Sequence, residues 1–269
     1  MKIAVFDISN FLFIDFYINK KKIEENFSTK EKKFNFLFNN FFHNILFLSS
    51  FNNCENFVLA FDSECKFRKE IYPLYKAKRN EDKNKEDLEL IYSVLNYIYS
   101  LNFLNKLKID NCEADDIAYY FVEKNHKENE IVLFSNDKDW IQIINDFDNV
   151  KLFNSKRVLI EKEEKILLKK AIVGDKSDNI KGIKGIGEKR FENFISNQEN
   201  LEKNKEIIEK NLEIIDIKKH KEKEKIKKII NEFSLLNKEE IKNIFHNNKE
   251  FLLYYIETFD LLQKFYNKI

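Results

Sequence analysis

The sequence predicts an α/β fold in which a central, mostly parallel sheet is flanked by helices. Three short apolar runs, at residues 2–6, 57–61 and 131–134, have the length and composition of buried strands. Longer segments with apolar residues at helical spacing separate these runs. Buried strands that alternate with helices are typical of a parallel sheet.

The first predicted helix lies between the first two strands. Seven apolar residues recur there at helical spacing and predict a core-facing helix: Phe34, Leu37, Phe38, Phe41, Phe42, Ile45 and Leu48. Residues 86–104 and 113–125 predict two more amphipathic helices, and residues 150–153 and 157–160 two further short strands. From about residue 163 onward we expect only helix.

The composition limits the class of protein. The chain has 269 residues, 43% of them hydrophobic, and 47 basic residues nearly balance 46 acidic ones, so the net charge of +1 neither favours nor excludes nucleic acid. The three cysteines lack metal-binding spacing and are expected to be reduced thiols in the cytoplasm. No apolar run approaches the roughly 20 residues that span a membrane. We expect a soluble, monomeric, cytoplasmic protein.

Nine acidic residues carry the functional prediction: Asp7, Asp62, Glu113, Asp115, Asp116, Asp137, Asp139, Asp175 and Asp178. Several follow predicted strands directly, and the carboxyl ends of parallel strands meet at one edge of a sheet. So many carboxylates repel one another unless cations hold them together. Mg²⁺ and Mn²⁺ prefer oxygen ligands, and two such ions can assist an in-line phosphoryl displacement. The set therefore predicts a divalent-metal site that hydrolyses phosphodiester bonds.

The alternative for any single Asp is a helix cap or a turn, and Asp175 and Asp178 in particular could cap a helix. No competing Ser-His-Asp or Cys-His set is present, and the four histidines lack metal-ligand spacing. We expect the histidines to be packing or surface residues.

Two segments predict a nucleic-acid substrate. Residues 66–85 contain eight basic and three acidic residues with interleaved aromatics, which is typical of phosphate contact and base stacking. A charged surface loop is the alternative. Residues 179–190 contain three of the four glycines with four basic residues, which predicts a tight turn between helices that approaches a phosphate closely. The Lys- and Glu-rich segment 199–232 predicts a solvated helical surface, with DNA contacts by some lysines as the alternative.

Taken together, these motifs resemble the 5′-nuclease family, which includes the bacteriophage 5′-exonucleases, the N-terminal nuclease domain of bacterial DNA polymerase I, and the flap endonucleases. The resemblance covers at least residues 1–195. Its motifs are FDISN, AFDSECKFRKEIYPLYKAKR, CEADDIA, SNDKDWIQ and VGDKSDNIKGIKGIGEKR.

The resemblance implies a nuclease core over residues 1–165, with a helical arch region at about 66–105. It also implies a helical DNA-binding region over 166–269, with a helix–three-turn–helix motif at about 171–195. Two Mg²⁺ ions are implied, for which Mn²⁺ can substitute, together with a K⁺ ion held by carbonyls of the glycine hairpin.

The resemblance further implies a role for each matching residue. Asp7, Asp62, Glu113, Asp115 and Asp116 would hold or support the first metal, and Asp137, Asp139, Asp175 and Asp178 would surround the second. Lys76 and Arg79 would act on the scissile phosphate, and Asp7 and Asp116 are counted with them as catalytic. The implied DNA contacts are Arg68, Tyr75, Lys76, Arg79, Gly182, Lys184, Gly185, Gly187, Lys189 and Arg190.

This chain departs from the family pattern at Ile8, Asn136 and Lys181, where the family usually has Gly, Gly and Pro. None of the three is an implied ligand, so we expect local changes in the turns. The resulting prediction is a 5′-3′ exonuclease or flap endonuclease for flapped, nicked or primer-bearing DNA, acting as a monomer or beside a DNA polymerase. It would leave a 5′-phosphate and a 3′-hydroxyl. The alternatives are a catalytically silent DNA-binding protein and a nuclease directed at RNA or RNA–DNA hybrids.

Overall fold

The computed structural model describes residues 1–79, 81–237, 239, 240 and 243. The strands of its central sheet are β1 (Lys2–Asp7), β2 (Asn56–Phe61), β3 (Lys106–Lys108), β4 (Glu130–Phe134), β5 (Val150–Phe153) and β6 (Leu159–Ile160). Their spatial order is β3-β2-β1-β4-β5-β6. All neighbours pair in parallel except β5 and β6, which are antiparallel. The predicted mostly parallel sheet is confirmed.

Some of the α-helices cover the two faces of this sheet, and others form the C-terminal region. The α-helices of the described residues are α1 (Ile8–Asn26), α2 (Lys30–Phe51), α3 (Lys66–Ile71), α4 (Lys85–Ser100), α5 (Ala114–Asn125), α6 (Ile141–Asp146), α7 (Ile166–Val173), α8 (Glu188–Ile195), α9 (Gln198–Lys203), α10 (Lys205–Ile215) and α11 (Lys223–Glu232). One core packs α1, α2 and α4 against the sheet, and the other packs α5, α6 and α11 against the opposite face.

The strands are apolar throughout because each contributes to both cores. In β1, Ala4 and Phe6 face one core while Ile3 and Val5 face the other. Every residue of β2 is buried. Successive strand residues point to opposite faces, so a strand covered on both sides needs a continuous apolar run.

Several element boundaries differ from the sequence prediction. Helix α1 was not predicted; it begins directly after β1, where the Asp7 carboxylate accepts a hydrogen bond from the Asn10 backbone N–H at 3.1 Å. The helix predicted over 86–104 ends at Ser100, and the following edge strand β3 was missed. The strand predicted over 157–160 shortens to β6.

The prediction of helix alone after residue 163 is wrong at one hairpin, formed by β7 (Gly174–Asp175) and β8 (Ile180–Lys181). Gly174 has φ +89°, a conformation that side chains disfavour. A Cβ at Gly182 would lie 2.2 Å from the backbone carbon of Val173. The two segments therefore approach more closely than residues with side chains permit.

The region predicted as a helical arch, at about 66–105, contains α3, turns at residues 73–79 and α4. Helix α4 buries Ile91, Val94, Leu95 and Ile98 in the core beside α1 and α2. The bounds of the arch stay a prediction, and its residue 80 lies outside the described residues.

The C-terminal region has its own small core, in which α7, α8 and α10 surround the β7–β8 hairpin. Helix α11 then returns to the main sheet through Ile226 and Ile230. The segment 199–232 is mostly helical as predicted. Helices α10 and α11 each bury one face, whereas α9 buries no residue. The division at residue 165 stays a prediction, and residues 244–269 of the predicted second region lie outside the described residues. Within the described chain, no helix is both long and apolar enough to cross a membrane.

Candidate active site

The carboxyl ends of the parallel strands bring four of the predicted acids to one edge of the sheet. Asp7 ends β1, Asp62 follows β2, and Asp137 and Asp139 follow β4. Asp7 is 5% exposed. Its second carboxylate oxygen accepts a hydrogen bond from Ser135 Oγ at 2.7 Å. This bond joins the ends of β1 and β4.

The start of α5 adds three more acids beside Asp62. Glu113 and Asp116 form a reciprocal capping box, in which each side chain binds the other residue's backbone N–H. Asp62 Oδ1 accepts from the Ala114 backbone N–H at 2.9 Å, and Asp115 Oδ1 accepts from the Asp116 N–H at 2.8 Å. The helix start therefore holds these carboxylates next to the sheet edge.

Arg68 neutralises part of this acidic group from inside the protein. Its guanidinium donates two hydrogen bonds to Asp116, at 2.6 and 2.9 Å, and one to Glu113 at 2.7 Å. Arg68 Nε donates to the Ile214 carbonyl of α10 at 3.0 Å. The side chain is 2% exposed, so the prediction that Arg68 contacts DNA is wrong. Asp116 is completely buried against it and supports the site from behind.

Tyr75 and Lys76 connect the start of α5 to the β7–β8 hairpin. The Tyr75 hydroxyl lies 2.8 Å from Glu113 Oε2 and 3.2 Å from Asp178 Oδ2. Lys76 Nζ lies 2.7 Å from Glu113 and 4.0 Å from Asp178. Because Tyr75 is buried, the prediction that it contacts DNA is corrected: its hydroxyl joins two carboxylates.

A second carboxylate group forms where α7 and the hairpin meet the end of β4. Oxygen atoms of Asp139, Asp175 and Asp178 lie within 4.8 Å of one another, and we call these three the hairpin group. Lys170 Nζ of α7 bridges two of them, at 2.7 Å from Asp139 and 2.8 Å from Asp175. Four other acids of the site form no ion pair with a basic side chain among the described residues. We call these acids the edge group: Asp7, Asp62, Asp115 and Asp137.

Burial and mutual repulsion shift several of these acids toward the protonated form. Burial, with Asp62 and Asp137, raises the pKa of Asp7 to about 8. Burial and Asp116 hold the pKa of Asp115 well above its usual range. Burial and Asp137 raise the pKa of Asp139 to about 7, although Lys170 opposes this shift.

Basic partners reverse the shift at two other acids. Burial raises the pKa of Glu113, but Lys76 and Arg68 lower it by more, to about 2. Burial likewise opposes ionisation of Asp175, whose pKa Lys170 nevertheless lowers to about 2. The nearby cations outweigh burial at Glu113 and Asp175, whereas burial and Asp137 outweigh Lys170 at Asp139.

The edge group supplies carboxylate oxygens to a divalent cation, although among the described residues the hairpin group is the carboxylate triad whose oxygens lie within 4.8 Å of one another. Among the residues that the structure describes, no basic side chain forms an ion pair with any of its four members. These acids supply carboxylate oxygens alone, which are the ligands that Mg²⁺ and Mn²⁺ prefer. A bound cation would also oppose the burial and the repulsion by Asp62 and Asp137 that raise the pKa of Asp7.

Two cavities open onto the carboxylates. One, of about 720 Å³, reaches Asp62 and Glu113 between α1 and α4. The other, of about 440 Å³, reaches Asp137, Asp175 and Asp178. Arg79, which is exposed, lines both. The site is therefore accessible to a substrate from two sides.

The glycine-rich segment lies on the surface beside the second cavity. Lys184, Gly185, Gly187, Lys189 and Arg190 are exposed, as a DNA contact requires. Gly182 is half-buried and packs against the backbone of the preceding helix, and its contact with DNA stays a prediction. The Gly185 carbonyl accepts a hydrogen bond from Arg190 Nη1 at 3.1 Å.

Sequence reasoning missed Ser135 and Lys170. Ser135 follows β4 directly, so its place at a strand end was an available signal. Lys170 lies one helical turn before the Val173–Asn179 motif, but nothing in the sequence showed where its side chain points.

A second buried cluster consists of Cys65, Asp116 and His220. It has little capacity for metal, because His220 Nε2 lies 3.0 Å from the Asn111 carbonyl and Nδ1 accepts a hydrogen bond from the Glu222 N–H.

A family model described as the 5'-3' exonuclease, N-terminal resolvase-like domain, matches residues 2–176. The chain belongs to this family, which confirms the resemblance found in its motifs.

Named relatives agree with this assignment. A 5'-3' exonuclease of Mycoplasmopsis pulmonis (strain UAB CTIP) is 34% identical over 168 residues, which cover 58% of this chain and 56% of the relative. A flap endonuclease of Escherichia phage T5 is 31% identical over 157 residues, covering 51% and 54%. A DNA polymerase I of Borreliella burgdorferi is 35% identical over 173 residues, covering 58% of this chain and 18% of the polymerase. The match to the first two relatives thus spans about half their length.

A solved structure of the bacteriophage T5 D15 protein, co-crystallized with metal ions, has the same fold. Its TM-score is 0.66 at 23% identity, over 86% of this chain and 99% of that chain. A bacteriophage T5 5'-exonuclease with bound zinc matches with a TM-score of 0.65 at 21% identity, over 86% and 99%. These matches confirm the α/β architecture.

Proposed function

We propose that this protein is a metal-dependent 5′-3′ exonuclease or flap endonuclease that hydrolyses phosphodiester bonds in flapped, nicked or primer-bearing DNA. The observation that carries the proposal is the set of carboxylates at and beside the carboxyl edge of the sheet. The hairpin-group oxygens lie within 4.8 Å of one another, and the edge group forms no ion pair with a basic side chain among the described residues. Acids in this state attract hard divalent cations, and they adjoin two cavities that share Arg79.

The names of the relatives support the same activity. Relatives are described as 5'-3' exonucleases and as a flap endonuclease. A solved T5 D15 flap endonuclease complex contains DNA and metal ions. Other relatives are DNA polymerases I, which supports a proposed action beside a DNA polymerase.

Three edge-group acids, Asp7, Asp62 and Asp115, would hold one Mg²⁺ ion with support from Glu113 and Asp116, and the hairpin group with Asp137 would hold a second. Mn²⁺ would substitute for either. When bound, such ions lower the pKa of water and stabilise charge on the phosphoryl oxygens.

The protein's own cations would hold the substrate. Arg79 is exposed between the two cavities, where its guanidinium can bind a phosphate with two parallel hydrogen bonds. Lys76 is half-buried between Glu113 and Asp178, at the junction of the two carboxylate groups. The two residues together would fix the scissile phosphate beside the acids.

The glycine-rich segment would bind the duplex backbone at a distance from the reacting phosphate. Lys184, Lys189 and Arg190 supply charge, and the exposed backbone at Gly185 and Gly187 permits close approach. The proposal also includes a K⁺ ion held by backbone carbonyls of the glycine-rich segment. Binding through these residues should weaken steeply as salt concentration rises.

A cleavage assay tests the proposal directly. The full chain is incubated with 5′-labelled flap, nicked and RNA–DNA hybrid substrates, with Mg²⁺ or with EDTA, alongside Asp178→Asn and the control Asp148→Asn. Asp148 is an exposed acid outside the site. We expect Mg²⁺-dependent cleavage by the wild type and the control, and at least about 100-fold less by Asp178→Asn with binding retained.

Binding to flap DNA without cleavage in any divalent ion would favour the catalytically silent alternative. Cleavage of hybrids alone would favour the RNA-directed alternative. Either result would overturn the proposed activity.

A further inference from the structure

Lys170 occupies a position in the carboxylate site that the proposed function does not use. It projects from α7, and its side chain is only 11% exposed. Its ammonium lies 2.7 Å from Asp139 Oδ1 and 2.8 Å from Asp175 Oδ2. Two of the three hairpin-group acids therefore already have a counter-charge supplied by the protein.

The backbone that carries Lys170 is fixed, whereas its ammonium is on a long flexible stem. The next two residues, Ala171 and Ile172, are buried. Asn211 of α10 donates a hydrogen bond to the Ala171 carbonyl at 2.8 Å. The helix thus keeps the lysine at the site, and rotation of the side chain alone can move the ammonium away from the two oxygens.

An ammonium and a divalent ion cannot share these oxygens without close repulsion between the two cations. The edge group presents no such conflict, since none of its acids pairs with a basic side chain among the described residues. The two groups should therefore fill at different concentrations of divalent ion.

We propose that Lys170 competes with a divalent cation for Asp139 and Asp175, and so sets the ion concentration at which the hairpin group fills. The inference rests on the proposed function, because it concerns the second metal of that site. At low divalent-ion concentration the lysine holds the hairpin group together. At higher concentration the ion displaces it.

Mn²⁺ titration of the full chain without DNA tests this role, with free Mn²⁺ measured by electron paramagnetic resonance. The variants are Lys170→Met, Lys170→Gln and the control Lys165→Met. Lys165 adjoins the same helix and pairs with Glu192 on the surface at 2.8 Å. Circular dichroism establishes that each variant is folded, and Lys170→Gln retains a hydrogen-bond donor should Lys170→Met fold poorly.

We expect two binding steps in the wild type. In both Lys170 variants the dissociation constant of the weaker Mn²⁺-binding step should fall by at least about 10-fold. The dissociation constant of the stronger step and both constants of the control should stay unchanged. A weaker step that is unchanged or loosened would overturn the inference, since Lys170 would then be a structural or positioning residue. If the wild type cleaves flap DNA with Mn²⁺, that result leaves the proposed function standing; if it neither binds Mn²⁺ nor cleaves DNA, both proposals fail.

Discussion

Asp7 of the edge group and Asp175 of the hairpin group are the same residue type, yet their pKa values shift in opposite directions. Asp7 in the edge group lies among other acids, and burial with Asp62 raises its pKa to about 8. Asp175 in the hairpin group lies beside Lys170, which lowers its pKa to about 2 against the effect of burial. No basic side chain pairs with Asp7 among the described residues, whereas Lys170 pairs with both Asp175 and Asp139. At Asp139, burial and Asp137 still raise the pKa to about 7.

The largest expected effects come from removing one acid of each group, and the two changes in melting temperature should have opposite signs. Asp7→Asn and Asp175→Asn should each reduce DNA cleavage at least about 100-fold, because each removes a proposed metal ligand. Their effects on the metal-free protein at pH 8 should be opposite. Asp7→Asn removes a repelled carboxylate and should raise the melting temperature, while Asp175→Asn leaves Lys170 with one partner fewer and should lower it.

Differential scanning calorimetry in EDTA measures this contrast. Asp148→Asn, on the surface, is the control and should leave both cleavage and melting temperature nearly unchanged. If Asp7→Asn and Asp175→Asn shifted the melting temperature equally, the charges at the two positions would not be balanced differently.

Arg68→Met should have the next largest effect, on the free energy of unfolding. It leaves Glu113 and Asp116 buried without their guanidinium partner, at a cost of about 3–5 kcal/mol. Urea denaturation measures this loss. The control Lys69→Met breaks an exposed pair with Glu64 and should cost less than about 1 kcal/mol. A loss that small for Arg68→Met would mean that the buried pairs do not hold the α5 start.

The stability of the metal-free protein should fall as pH rises from 6 to 8. Asp7 keeps its proton up to about pH 8 in the folded state, but releases it near pH 3.8 when unfolded. The folded state therefore binds more protons in this range, so raising the pH favours unfolding by about 2 kcal/mol from Asp7 alone.

Melting temperatures in EDTA between pH 6 and 8 measure the effect, and Asp7→Asn should flatten the profile. Mg²⁺ should also flatten it, because the ion replaces the proton. A wild-type profile in EDTA as flat as that of Asp7→Asn would contradict the raised pKa of Asp7.

Tyr75→Phe should have the smallest effect, since it removes only the hydroxyl that joins Glu113 to Asp178. We expect a loss of about 1.5 kcal/mol in urea denaturation. Tyr72→Phe is a matched control, because the buried Tyr72 hydroxyl has no hydrogen-bond partner among the described residues. A greater loss for Tyr72→Phe would show that the bridge between the groups contributes little.

The sequence predicted the positions of Asp7, Asp62 and Asp137 well, because a strand end is visible as the end of an apolar run. It failed at Arg68 and Tyr75, which it assigned to DNA. Both lie in a basic, aromatic segment, and composition does not reveal which of its side chains are buried. The partners of Arg68 are 45 to 146 residues away in the chain.

The sequence by itself determined the parallel sheet, the convergence of acids at its carboxyl edge, and the glycines that let β7 and β8 approach closely. These features follow from strand patterning and backbone sterics, which are local. Only the tertiary structure decided which acids meet a basic side chain: Arg68 with Asp116, and Lys170 with Asp175, but none with Asp7 among the described residues. That distinction depends on burial and on ion pairs between distant segments, and those exist only once the chain has folded.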